Sequence, residues 1–366
     1  MKKRRIVIAS LLKPIDDTRM FEKMGVTLSD SGDYEVLILG YPSKVKPAYP
    51  NIHFSPLPQF ARISFGRLLA PLRIALKIRE VRPDMLIVNT HELLIVALLN
   101  RIFFGTRIIY DIQENYFRNI LYSEAFPQLL RHFLALYVRA KEKIIAPLFH
   151  WFFLAEKGYQ NEFKFLKNRY TILENKVVLS VGQKRTVRSG YGRLLFSGTL
   201  AESTGVFEAI NLAIELNQLE PSIRLKIIGY CAKSELLNKI KLAIAAHDFI
   251  TLTGGDQLVP HQEIIKSISN SDFGIIYYPH SPHTENSIPT KLYEYLSYQL
   301  PIIIQDKPAW KELISPCQAG ISIDFQNLKA SDLLEKMQTG MFYPRPAEDT
   351  TWDSEAIKLL EVLKTI

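Results

Sequence analysis

Three observations predict an α/β fold of two doubly wound, Rossmann-like domains. Short β-rich apolar runs alternate with helical patterns from end to end, as in parallel sheets covered by helices. The chain has 366 residues, 47% of them hydrophobic, which suits two cores at roughly 100 to 200 residues per domain. The runs also fall into two sets of six, separated by a polar stretch that has neither helical nor strand periodicity.

The first set is 5–10, 34–41, 84–90, 107–112, 151–155 and 170–173; the second is 193–197, 224–228, 249–252, 272–278, 301–305 and 320–323. This predicts a first domain over 1–173, a linker over 174–192, a second domain over 193–340, and a helical segment over 341–366 packing back towards the first. The opening run, Ile6–Leu12, follows a basic patch but stops at Lys13-Pro14, so it reads as a first buried strand and not as a secretory leader. The longest uncharged apolar stretch, 144–155, contains Pro147 and His150 and is well short of the ~20 residues of a membrane span. Cys231 and Cys317 are too few for a disulfide framework or a four-thiolate zinc site; they read as buried small hydrophobes in a reducing compartment.

The net charge of +8 is unevenly placed: residues 1–180 carry 27 Lys and Arg against 16 Asp and Glu, the remainder 18 against 21. Such asymmetry points the first half at an anionic partner. Between Phe60 and Arg82, Arg62, Arg67, Arg73, Lys77, Arg79 and Arg82 interleave with leucines and isoleucines, mostly at helical spacing. A similar stretch runs from Leu129 to Lys143 with Arg131, Arg139 and Lys141. A cationic face beside an apolar face is what an interfacial helix needs, so an anionic membrane surface is the expected partner. No nucleic-acid-binding signature accompanies these charges.

In open α/β sheets, ligands bind beyond the carboxyl ends of the strands. That rule selects Asp16, Asp17 and Arg19; His91 and Glu92; Asp111, Gln113 and Glu114; Gly198 and Thr199; Gly229; Gly254 and Gly255; His280; and the segment around Lys291 and Glu294. The groups come from both halves, which implies a site assembled from two facing domains.

The most informative stretch runs from Pro279 to Ile304 and reads as strand, polar loop, helix opened by Pro289, and strand. Free N–H groups at the helix start, with Lys291, suit a diphosphate. Glu294, three residues on, shares the helix face and is placed to accept hydrogen bonds from ribose hydroxyls. An ordinary surface ion pair between Lys291 and Glu294 is the plainer alternative. For His91, that alternative is a buried structural histidine at a strand end.

The run Pro289-Thr290-Lys291-Leu292-Tyr293-Glu294-Tyr295-Leu296, followed by Leu300-Pro301-Ile302-Ile303, resembles the donor-binding signature of family 4 glycosyltransferases. Weaker matches occur in the right order at Asp17–Lys23, Thr90-His91-Glu92, Tyr110–Glu114, Phe196–Leu200, Ile227-Ile228-Gly229 and Trp352-x-x-Glu355. The resemblance implies a GT-B fold, two Rossmann-like domains facing a cleft. It also implies transfer of a sugar from a nucleotide-sugar with retention of configuration, without metal or cofactor, in cell-surface polysaccharide, lipopolysaccharide or capsule assembly.

By that resemblance His91, Lys291 and Glu294 would be catalytic, with Gly198, Thr199, Gly229, Asn286, Pro289 and Thr290 on the donor side. Asp17, Arg19, Glu92, Gln113 and Glu114 would lie on the acceptor side. Glu294 would contact the ribose, Gly198 would let the backbone approach the diphosphate, and Arg19 would help Lys291 balance the leaving charge. The acceptor would be a lipid-linked glycan, which fits the basic half, and the protein would sit peripherally on the cytoplasmic face of the plasma membrane. The chain departs from the family pattern in four places, one of them the first loop, which lacks the usual glycines. Asn286, with Glu285 beside it, stands where a first glutamate is usual, Ala201–Gly205 lacks the usual Arg and Lys, and Gln113 replaces a common His. A nucleotide-sugar epimerase on the same fold and a catalytically silent membrane-associated binding protein are the alternative readings.

Overall fold

The computed structural model describes residues 3–43, 47–58, 60, 64–122, 127–179, 190–280 and 287–366. The chain divides into two compact units, one comprising residues up to Val178 together with Trp352–Ile366, the other Leu179–Thr351. Each is built on a single all-parallel sheet.

The first unit's strands are β1 (Arg4–Pro14), β2 (Tyr34–Tyr41), β3 (Ile52–Pro56), β4 (Met85–Val88), β5 (Arg107–Ile112), β6 (Trp151–Leu154) and β7 (Tyr170–Ile172). They lie in the order β3-β2-β1-β4-β5-β6-β7. Strand β3, Asn51-flanked and carrying His53 and Pro56, lacks a continuous apolar run, and the periodicity therefore misses it. It pairs at the sheet edge, where only β2 has to accept it. Runs such as Ile6–Ala9 and Met85–Val88 are buried throughout, as expected of strands covered on both faces.

One face of this sheet packs under three helices, Phe65–Val81, Leu94–Phe104 and Gln128–Ile145, whose Ala70, Ile74, Ile78, Val96, Ala97 and Ile145 join a single core. Ser64 caps the first of these by accepting from the N–H of Arg67, and Gly105 ends the second at φ +68°. The other face is covered by Met20, Met24 and Leu28 with the C-terminal helix Trp352–Thr365.

The stretch 174–192, read from sequence as linker, has a different start. Glu174 and Lys176 are buried in the first unit. Lys176 Nζ lies 2.6 Å from Glu355 of the C-terminal helix, and the Glu174 N–H donates to the same carboxylate at 3.1 Å. A buried ion pair nearly 180 residues apart in sequence leaves no local trace.

The second unit's strands are β8 (Arg193–Thr199), β9 (Arg224–Tyr230), β10 (Ile250–Gly255), β11 (Phe273–Ile276), β12 (Ile302–Gln305) and β13 (Gly320–Ile323), in the order β10-β9-β8-β11-β12-β13. Cys231 and Cys317 are buried and unpaired, one in each of this unit's two cores. In both sheets the strand order reverses between the first and fourth strands of the unit, at β1/β4 and β8/β11, which is where doubly wound sheets hold ligands. Among the described residues no helix is long and apolar enough to cross a membrane.

Candidate functional site

In the second unit, β8 ends in Ser197, Gly198 and Thr199 beside the helix Thr290–Ser297. Pro289 is the N-cap of that helix and Thr290 its first residue, so the proline sits one place earlier than a first-turn assignment. The helix holds the strand end by two contacts. Lys291 Nζ donates to the Ser197 carbonyl at 3.2 Å, and the Tyr295 hydroxyl lies 2.7 Å from Ser197 Oγ. The Lys291 ammonium also sits 4.3 Å from the centre of the Phe196 ring. Burial pushes its pKa down to about 8, against the pull of Glu294. Among the described residues no carboxylate lies within ion-pair distance of it.

Gly198, next along, has φ +101°, and no described atom lies within 4 Å of where a Cβ would project. Gly229 has a different reason to be glycine: a Cβ there would stand 1.7 Å from the Gly198 carbonyl oxygen, because β8 and β9 pair at these two residues. The loop after Thr199, which lacks the basic pair, is closed by the Thr204 hydroxyl donating to the Thr199 carbonyl at 2.7 Å. Glu294 is not paired with Lys291. Its Oε1 lies 2.9 Å from His261 Nε2, at the start of the helix that follows β10. His280 instead contacts Gln305 (2.9 Å between Nε2 atoms). Asn286 and Glu285 lie outside the described residues.

In the first unit, the loop after β4 carries His91 and Glu92. The His91 ring packs edge-on to Tyr116, and its Nδ1 is 3.1 Å from Lys141 Nζ. An ammonium can only donate, so Nδ1 is the acceptor and the ring proton sits on Nε2, which faces Glu92 Oε2 at 3.5 Å. Burial pushes the imidazole down to about 4; Glu92 opposes the shift, while Lys141 and Arg67 add to it. For Glu92, burial raises the pKa, but His91 and the ion pair with Arg67 outweigh it and hold the carboxyl below its usual range. The result is a neutral imidazole beside a charged carboxylate near neutral pH. Asn89 and Thr90, both buried just before His91, have side-chain polar atoms without a hydrogen-bond partner.

The remaining acceptor-side candidates have partners within the first unit. Arg19 is 1% exposed, its guanidinium forked onto Asp111 (Nε–Oδ2 2.9 Å, Nη2–Oδ1 2.7 Å) and its third nitrogen donating to the Leu173 carbonyl at 2.9 Å. The expectation that Arg19 helps balance a diphosphate is therefore corrected: its charge is fully used inside the first unit. Gln113 donates to the same Asp111 carboxylate at 2.8 Å. Asp17 caps the π-helical turn Thr18–Gly25 by accepting from the N–H groups of Arg19 and Met20. Glu114, near the surface, meets Asn119 and Lys13.

Sequence reasoning missed Arg67, Lys141 and His261 as members of these clusters. The first two were assigned to lipid-facing helix surfaces, but they turn inwards to Glu92 and His91. His261 follows Pro260 after β10, the same proline-opened helix start that singled out Lys291, and that pattern is the signal that could have found it. Among the described residues no three His, Cys, Asp or Glu side chains are grouped to hold a metal ion.

Comparison with known proteins supplies the fold. No family model matches this chain, and neither does any curated protein. Solved structures do. Sucrose-phosphate synthase from Thermosynechococcus elongatus aligns over 99% of both chains at 11% identity and a TM-score of 0.69. Anabaena HepE, solved in complex with UDP and glucose, aligns over 99% of both at 13% identity and 0.66. The lipopolysaccharide outer core galactosyltransferase WaaB aligns over 99% of both at 14% and 0.63. The chain has the GT-B fold of these glycosyltransferases.

Proposed function

We propose that this protein is a retaining glycosyltransferase. The second unit binds a nucleotide-sugar, and the sugar passes to a lipid-linked glycan recognised by the first. The observation that carries this reading is the β8 end. Lys291 presents an ammonium with no carboxylate partner among the described residues, next to the left-handed Gly198 and at the start of a helix. That is a setting for a diphosphate, with three sources of positive potential: the ammonium, the helix N–H groups and the strand-end backbone. One turn on, Glu294 is oriented by His261 to accept hydrogen bonds from ribose hydroxyls. UDP bound to HepE supports a nucleoside diphosphate as the ligand class.

In this mechanism the leaving diphosphate takes the bonding electrons of the anomeric C–O bond, the acceptor hydroxyl oxygen bonds to the anomeric carbon on the same face, and its proton passes to the leaving phosphate oxygen. Lys291 and the helix start stabilise the charge that develops, so neither a metal nor a cofactor enters. Neutral His91, its tautomer fixed by Lys141, is assigned to sugar recognition, where its Nε2–H would be shared between Glu92 Oε2 and a sugar hydroxyl. The excess of cations in residues 1–180 supports an anionic, lipid-linked acceptor in cell-surface polysaccharide or lipopolysaccharide assembly. On this reading the protein works peripherally at the cytoplasmic face of the plasma membrane.

The test is product analysis. Wild-type protein supplied with a nucleotide-sugar and lipid-linked acceptors should release nucleoside diphosphate and form a glycoside with the donor's anomeric configuration, while Lys291→Ala and Glu294→Ala are nearly inactive. Conversion of donor alone into an epimer would identify an epimerase. Unchanged transfer in both variants would remove the proposed site.

A further inference from the structure

The three helices over one face of the first unit's sheet each bury one apolar stripe and expose a second. On Phe65–Val81, Ala70, Ile74 and Ile78 face the core while Leu69, Leu72 and Leu76 are exposed. On Leu94–Phe104, Val96 and Ala97 are buried while Ile95, Leu99, Ile102 and Phe103 are exposed. On Gln128–Ile145, Ala135, Val138 and Ile145 are buried while Leu129, Phe133, Leu136 and Ile144 are exposed.

Among the described residues these helices hold fourteen of the twenty-three exposed large apolar side chains. Such concentration marks an interaction surface, since scattered exposed leucines need no explanation but a patch does. Ala70, Ile74, Ile78, Val96, Ala97 and Ile145 from these inward sides share one core on the same face of the sheet, so the exposed apolar side chains lie on the layer's outer side.

The charge on this layer is one-sided. The three helices carry nine Lys and Arg against Glu80 and Glu142, and Glu142 is buried. Arg67, Arg139 and Lys141 serve the interior, Lys77, Arg101 and Arg131 are partly exposed, and Arg73, Arg79 and Lys143 are exposed on the same helices as the apolar stripes. A second copy of the chain would oppose like charge to like charge across a two-fold contact. A folded partner would have to bury these cations, whereas interface cores are depleted of charge. An anionic bilayer takes both parts, with apolar side chains entering below the headgroups and cations at the phosphates.

We propose that this three-helix face docks the protein on an anionic bilayer by insertion, with Leu72, Phe103, Phe133 and Leu136 entering the headgroup–acyl boundary and Arg73, Arg79 and Lys143 meeting lipid phosphates. The inference deepens the lipid-surface part of the proposed function and is independent of its chemistry. It adds the middle helix, whose exposed residues are all apolar apart from a partly exposed Arg101, and it makes binding more than electrostatic adsorption.

Flotation of the full chain with vesicles of equimolar phosphatidylglycerol and phosphatidylcholine, and with phosphatidylcholine alone, at low and high salt, tests it. The expected result is flotation with the anionic vesicles that survives in part at high salt. The variant F103S/F133S/L136S, unchanged in charge, should partition at least about tenfold less. R73Q/R79Q/K143Q should lose the preference for anionic lipid at low salt. Three results would overturn the proposal: no flotation of the wild type, equal partition of the serine variant, or a wild-type dimer that the serine variant dissolves without any vesicle binding. Nucleotide-sugar binding should be the same in wild type and serine variant. Its absence from both would remove the proposed function and leave the docking face standing.

Discussion

Arg19 and Lys291 are both cations beside the switch point of a doubly wound sheet, and they have opposite fates. Arg19 in the first unit is sealed: two nitrogens fork onto Asp111, a third reaches the Leu173 carbonyl, and Gln113 completes the carboxylate's shell. Among the described residues, Lys291 in the second unit has a single carbonyl, Ser197, and an aromatic face. The difference separates a structural pin from the proposed site. A buried cation whose hydrogen bonds and charge are both satisfied holds strands together, whereas one held only by a carbonyl retains most of its attraction for an anion. Burial already disfavours its charged form, and an arriving diphosphate would relieve that cost.

The comparison can be broken most forcefully at Arg19. Arg19→Ala should destabilise the first unit by about 3–5 kcal/mol in denaturant unfolding, because Asp111 is left buried and unpaired. Replacing both partners by apolar residues should recover much of the loss. A shift below about 1 kcal/mol for the single variant would show that the pair is not a pin.

At Lys291 the expectation is reversed. Lys291→Ala should cost sugar transfer about a hundred- to a thousandfold, roughly 3–4 kcal/mol of transition-state stabilisation. Its melting temperature should match or exceed the wild type's, since a buried ammonium is removed.

Within the first unit, Glu142 sharpens the contrast, because it is buried but not fully satisfied. Tyr110 donates to one oxygen, the other lies 3.3 Å from Arg139 Nη1 without an aligned hydrogen bond, and burial pushes the carboxyl up to about 6 despite that ion pair. The folded state therefore holds more protons than the unfolded state between about pH 4.5 and 6, so this residue's contribution worsens as pH rises through that window. Glu142→Gln should stabilise the protein by about 2 kcal/mol near pH 7, and the gain should vanish below about pH 4.5. A destabilised variant near pH 7 would refute that sign.

The smallest effect is the pH dependence of donor binding. A diphosphate prefers the ammonium, so affinity should fall as pH rises through about 8, approaching about tenfold per pH unit above it. Lys291→Arg should move the fall out of the accessible range. Titration of nucleotide-sugar affinity between neutral and alkaline pH checks both.

The helix over 290–297 was legible because Pro289, the strand that follows and the Lys291–Glu294 spacing all act within a dozen residues. The parallel sheets were legible for the same reason, since buried strands such as Ile302–Gln305 are continuous apolar runs. What escaped was non-local. Arg19 meets Asp111 ninety-two residues on, Lys141 reaches back fifty to His91, and His261 meets Glu294 across thirty-three. Nothing in the local pattern says which cations of an amphipathic helix turn inwards. Arg67 and Lys141 therefore read as lipid-facing when they serve Glu92 and His91, while Arg73 and Lys143 do remain exposed. Gly229 reads as a ligand glycine from its place after a strand, yet its requirement is the close passage of the Gly198 carbonyl.

The central claim is that the open end of β8 receives a diphosphate. Titration calorimetry of UDP-, GDP- and dTDP-sugars against the wild type and Lys291→Ala tests it directly. One donor class should bind the wild type, with affinity lost in the variant while the variant's melting temperature is maintained. Binding of none, or equal binding to both proteins, would contradict it.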